Sequence, residues 1–147
     1  MEAQAVSLQE ALREQGLRLT RQRRIVVEAL DRAEGHLSAR DLLRLARQAD
    51  PTINRATVYR TLALLKSRGL IDELDLLHLE GVGHFYERRV EGDHAHIGCP
   101  GCGRIVEMRT ELAQDLARTV TERTGFAPTS IRIEVRALCP ACQASAA

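Results

Sequence analysis

The four cysteines of this chain fall into two pairs of one pattern, Cys99-Pro100-Gly101-Cys102 and Cys139-Pro140-Ala141-Cys142. Each short loop sets two sulfurs on one ion and folds its backbone amides toward them, so the two loops suit a tetrahedral ion held by four thiolates. Two disulfides or four unrelated core cysteines explain the paired spacing less well. The interval from Gly103 to Leu138 is longer than a minimal zinc ribbon needs and has room for a strand and a helix. Directly before the first pair stands Asp93-His94-Ala95-His96-Ile97-Gly98. If this stretch is extended, His94, His96 and Gly98 share one face while Ala95, Ile97 and Cys99 share the other. One strand then serves two metal sites, with imidazoles on one side and a thiolate on the other.

With 147 residues the chain makes one ordinary domain or two small ones sharing a core. No charged-then-apolar leader follows Met1 and no apolar run has the length of a membrane span, which leads us to expect a cytoplasmic protein. In that reducing setting Cys-x-x-Cys pairs read as metal ligands. The net charge of +1 hides an asymmetry: residues 1–71 hold thirteen Arg or Lys against eight Asp or Glu, and Asp72, Glu73, Asp75 and Glu80 then offset most of the excess. A locally basic first half suits contact with phosphates, although scattered arginines equally suit a solvated helix surface. Aromatics are 3% and Trp is absent, which weighs against stacking on single-stranded bases.

The elements that must position these residues follow from periodicity and caps. Leu8, Ala11 and Leu12 mark a short helix stopping at Gly16. Thr20 caps a second helix carrying Ile25, Val26, Ala29 and Leu30, and Ser38 with Asp41 opens a third carrying Leu42, Leu45, Ala46 and Ala49 up to Asp50-Pro51. Asn54 caps a fourth helix to Arg68, with Val58, Leu62 and Leu65 on one stripe and Arg55, Thr57, Tyr59, Arg60 and Thr61 on the other faces. Short helices ending in one with polar, basic and aromatic residues near its start describe a helix-turn-helix. Leu70 to Leu77 and His84 to Arg88 read as two strands around the Gly81-Val82-Gly83 loop, the wing. Beyond Asp93 we expect the His-bearing strand, a strand at Arg104 to Met108 and a helix from about Thr110 to Thr124. Last come a half-buried strand from Ser130 to Leu138 and a frayed tail from Ala144.

Thr57-Val58-Tyr59-Arg60-Thr61-Leu62, then His94-x-His96-x-x-Cys99-x-x-Cys102-Gly103, then Cys139-x-x-Cys142 together resemble the ferric uptake regulator family, in the right order over nearly the whole chain. The resemblance implies an α+β fold. Residues 1–88 would form a winged helix-turn-helix DNA-binding domain, 89–93 a hinge, and 94–147 a small α/β dimerisation and metal-binding domain. It implies a metal-dependent transcriptional repressor acting as a homodimer on double-stranded operator DNA, with neither a membrane nor a small-molecule substrate as partner. Cys99, Cys102, Cys139 and Cys142 become a structural zinc site. His36, Glu87, His94 and His96 become a regulatory site, with Glu107 an added or alternative ligand. A metal joining His36 of one domain to His94 and His96 of the other would clamp the two together and fix the separation of two recognition helices. Tyr59 and Arg60, with Arg55 and Thr57 on the same helix, would meet the major groove, and Arg18 a neighbouring backbone or minor groove.

Imidazoles with carboxylates and no thiolate suit iron(II), manganese(II) or zinc. Zinc-sensing relatives often place a Cys in the sensor, and peroxide-sensing relatives use aspartates where this chain has Glu87 and Glu107, so both stand as alternatives behind an iron(II) or manganese(II) sensor of metal-homeostasis genes. A further metal site of some iron-sensing members would need ligands where this chain has Ala95, Gln114 and Ile131. His78 and His84 have no assigned place and read as wing or linker residues, with His84 a spare candidate for a ligand. Three rivals remain: a rubredoxin-like electron carrier, a metal-dependent hydrolase and a constitutive DNA-binding protein with only structural metal. The hydrolase reading lacks a separate general base and a substrate pocket, so we expect no enzyme activity.

Overall fold

Side-chain oxygens start each of the first four helices. In the computed structural model, which describes residues 6–33, 35–75, 83–89 and 92–146, Ser7, Thr20, Ser38 and Asn54 each accept a hydrogen bond from the amide three residues on. Each cap satisfies one of the backbone donors that a helix start leaves without a partner. The helices are α1 (Leu8–Glu14), α2 (Arg21–Arg32), α3 (Ala39–Ala49) and α4 (Arg55–Ser67). With them belong β1 (Leu37–Ser38), β2 (Ile71–Leu74) and β3 (Phe85–Arg88), an antiparallel sheet in the order β1-β3-β2. Together these elements form the first of two compact units. Residues 76–82, which include His78, Glu80 and most of the expected wing loop, lie outside the described residues, as do 90 and 91 of the expected hinge.

The first unit has a continuous apolar core. Leu8 and Leu12 of α1, Val26, Val27 and Leu30 of α2, Leu42 and Ala46 of α3, and Val58, Leu62 and Leu65 of α4 close on Ile53, Ile71 and Tyr86. Each fully buried Leu or Val in such a cluster contributes about 1.5–3 kcal/mol over an exposed one. Two features depart from the sequence reading. Strand β1, only two residues long, was not expected. Thr61, expected on a polar face, is fully buried, and burial is tolerated because its hydroxyl donates to the Thr57 carbonyl at 2.7 Å. Asp31 joins three elements: it accepts the Leu8 amide on both oxygens at 3.0 and 3.1 Å and sits 3.1 Å from the Arg88 guanidinium at the end of β3.

The second unit is a three-stranded sheet with two helices: β4 (His94–Gly98), β5 (Ile105–Arg109), α5 (Leu112–Thr124), β6 (Ile133–Arg136) and α6 (Pro140–Ala146). Its order is β5-β4-β6, with β4 antiparallel to β5 and parallel to β6. The parallel return needs a crossover, and α5 supplies it. The strand expected from Ser130 to Leu138 is regular only over Ile133–Arg136, and residues 144–146, expected to fray, complete α6. Within this unit the described buried hydrophobic residues are Ala95, Cys99 and Ala113. Val106, Met108, Leu116 and Val135 are exposed, as are Leu112 at 55% and Phe126 at 75%. The strand face carrying Ile133 and Val135 is thus less covered within the chain than its alternation led us to expect. Among the described residues no helix is long and apolar enough to cross a membrane.

Replacing Asp31 by Ala strands the Leu8 amide and leaves the Arg88 charge without this partner. The expected cost is about 2 kcal/mol to the first unit, read as a lower urea midpoint with an unchanged m-value.

Candidate metal centres

The first cysteine pair is the turn of the β4–β5 hairpin. The Cys99 amide donates to the Arg104 carbonyl and the Gly103 amide to the Cys99 carbonyl, both at 2.9 Å, and Gly103 closes the turn with φ of 75°. Glycine is also needed at 101, for space: a Cβ there would lie 2.8 Å from the Cys142 sulfur and 3.6 Å from that of Cys99. The second pair arrives at the start of α6, where the Ala137 amide on the Gly98 carbonyl carries the β4–β6 pairing toward Cys139.

All four sulfurs lie within 4.8 Å of one another, with Cys102 and Cys139 at 3.7 Å. A tetrahedron with metal–sulfur bonds of about 2.3 Å has an edge of about 3.8 Å. The Cys139 amide donates to the Cys99 sulfur at 3.3 Å. That bond, helped by the amides of Cys102 and Gly101 and opposed by burial, holds the Cys99 thiol down at about 6. Hydrogen bonds with Cys139 and then Cys99 push the Cys142 thiol up, since four adjacent sulfurs cannot all ionise without a cation. Donor type, number and spacing all fit zinc.

The imidazoles and carboxylates form one pair in each unit. In the first unit, the register Leu37 to Tyr86 between β1 and β3 brings His36 opposite Glu87. His36 Nε2 lies 2.7 Å from Glu87 Oε2, with both side chains under a tenth exposed. In the second unit, β4 and β5 pair His96 with Glu107 and His94 with Arg109. His96 is buried and His94 half-buried, their rings edge-on with centroids 4.7 Å apart, and His94 Nδ1 lies 3.2 Å from the Gly92 carbonyl. On its other side β4 pairs His96 with Glu134 of β6. Within the half-buried strand expected from Ser130 to Leu138 nothing singles out Glu134, because the strand partner that gives it meaning is nearly forty residues away. His84 is engaged elsewhere in the first unit, 3.1 Å from Asp75 and 3.4 Å from Glu73.

The expected DNA-reading residues are on α4 and before α2. Arg55, Tyr59 and Arg60 are exposed, with the Arg55 guanidinium 5.7 Å from the centre of the Tyr59 ring, and Arg18 is exposed as well. The Thr57 hydroxyl is 3.2 Å from Asn54 Oδ1, so it belongs to the helix cap. Of the positions that a further metal site would require, Ala95 is fully buried and Gln114 is exposed on α5.

Residues 14–136 match the pattern of the Ferric uptake regulator family. The chain belongs to that family. It is 32% identical over 143 residues to the ferric uptake regulation protein of Synechococcus elongatus, covering 96% of each chain. It is also 32% identical over 129 residues to the zinc uptake regulation protein of Escherichia coli, covering 88% of this chain and 75% of that one. The solved ferric uptake regulator of Helicobacter pylori, described as having three functional metal binding sites, superposes with a TM-score of 0.73 at 28% identity, over 92% of this chain and 89% of that chain. A member of the ferric uptake regulator family is a metal-dependent transcriptional regulator.

For the thiol cluster, Cys99→Ser is expected to abolish zinc retention and unfold the second unit, because zinc-binding energy there is folding energy. Gly101→Val, which removes no ligand, should still lower zinc retention by displacing Cys142. Metal analysis after chelator challenge, with far-UV circular dichroism, checks both.

Proposed function

We propose that this chain is a cytoplasmic, metal-responsive repressor that binds double-stranded operator DNA as a homodimer and controls metal-homeostasis genes. Zinc is held permanently by Cys99, Cys102, Cys139 and Cys142. The regulatory ion takes His36 and Glu87 from the winged-helix domain, residues 1–88, and His96, His94 and Glu107 from the dimerisation domain, residues 94–147, across a hinge at 89–93. The observation that carries the reading is the matched pair: each unit holds an imidazole in register with a carboxylate, His96 buried and the His36 side chain 9% exposed. The family, whose members are regulators, supports binding over catalysis.

The donor set favours iron(II) or manganese(II) because it is imidazole and carboxylate, with all four cysteines engaged in the other cluster. The relatives include both an iron and a zinc uptake regulator, so zinc is the second ion to test. The exposed apolar side chains of the second unit, Val106, Met108, Leu112, Leu116 and Val135, support a dimer through this half of the chain. Arg55, Tyr59 and Arg60 at the start of α4, with Arg18, supply the groove and phosphate contacts. When bound, the ion links the two domains and removes the ordering cost that DNA binding otherwise carries.

The test is anisotropy of the zinc-loaded protein on its own upstream DNA, anaerobic and at fixed ionic strength, while iron(II), manganese(II) or zinc is added. Affinity is expected to rise roughly tenfold or more with metal, and to fall steeply with salt. His96→Ala should leave a folded dimer without the metal response. Tight binding that ignores all three ions would show a constitutive DNA-binding protein instead.

A further inference from the structure

His96 is flanked on both sides of its strand. The β4 register sets Glu107 of β5 and Glu134 of β6 directly across from it, all three on one face of the sheet. The neighbouring rows differ in sign. His94 faces Arg109, and Gly98 faces Arg136 beside Ile105. An acid alternating with Arg132 and Arg136 along a strand is ordinarily a solvated ion-pair ladder. Two observations favour more for Glu134. It is the one acid of β6, and it stands in the row of the buried imidazole; it is also half-buried itself, while Arg132 and Arg136 are exposed. Adjacent strands lie about 4.8 Å apart, so a Glu side chain crosses to the ring of a directly paired His.

We infer that Glu134 is a positioning residue of the regulatory metal site, accepting a hydrogen bond from the N–H of the His96 ring nitrogen that is not turned to the metal. The inference rests on the proposal that His96 is a ligand of that ion. A ligating imidazole commonly donates its second N–H to a carboxylate, which fixes the tautomer and ring orientation and raises its basicity. Glu107, in register on the opposite side, is left to act as the ligand. A carboxylate on each side of His96 also adds the negative charge of Glu134 to that of Glu87 and Glu107 around the bound cation.

The test uses the zinc-loaded dimer. E134Q, nearly isosteric, is expected to keep its zinc and its dimer but to bind manganese(II) about 10–100-fold more weakly by competition titration. The tautomer of His96 in the protein without added manganese, read by long-range nitrogen–proton NMR of the ring, should shift in E134Q. E134A should behave alike if it folds. Manganese affinity within twofold of wild type and an unchanged His96 tautomer in E134Q would overturn the inference. H96A in parallel separates the two levels. If H96A abolishes manganese binding and E134Q does not weaken it, only the role of Glu134 fails. If H96A leaves manganese binding intact, the ligand assignment fails and this inference with it.

Discussion

Four sulfurs gathered at one point do for the second unit what an apolar core does for the first. Its described buried apolar residues, Ala95, Cys99 and Ala113, cannot by themselves hold three strands and two helices together, and many of its other described apolar side chains are exposed. The cluster ties the end of β4, the turn into β5 and the entry to α6 to a single position. Those ties also set the register of β4 against both neighbours. His94 and His96 lie on that strand, so the geometry of the imidazole face is inherited from the thiolate end. A small domain without a core commonly needs such a staple.

The first unit is built the other way, from helix stripes closing on a shared core, with polar ties at its margins. Asp31 fastens the start of α1 and the end of β3 to α2, and β3 carries Glu87 one residue before Arg88. The His36–Glu87 pair, with both side chains under a tenth exposed, is held by the β1–β3 ladder. Its proximity to a secured strand end means that a change at the pair is felt by a rigid element. The start of α4 meanwhile remains open to solvent, with Arg55 stacked on Tyr59.

What could be read in the sequence was local. Caps at Thr20, Ser38 and Asn54, the stripe of Val58, Leu62 and Leu65, and the two Cys-Pro-x-Cys loops all declare themselves within a few residues. What escaped depends on partners distant in sequence. Strand β1 exists because β3 lies beside it, and two residues carry no alternation. Thr61 is buried because its hydroxyl returns to the backbone one turn earlier, which makes a polar residue compatible with the core stripe. Glu134 acquires its place from the parallel pairing with β4, which no spacing rule specifies. The half-covered face of the second unit likewise could not be told from a buried one by alternation alone, since alternation reports a face and not what covers it.

In the function proposed above, one metal site holds the fold and another, chemically different, holds the response. Native mass spectrometry of the zinc-loaded protein with manganese(II) tests it most directly, by counting both metals in wild type and in His96→Ala. One zinc and one manganese per protomer are expected in the wild-type dimer, and a His96→Ala dimer that keeps its zinc and loses its manganese. Loss of both metals together, or manganese retained without His96, would contradict the division.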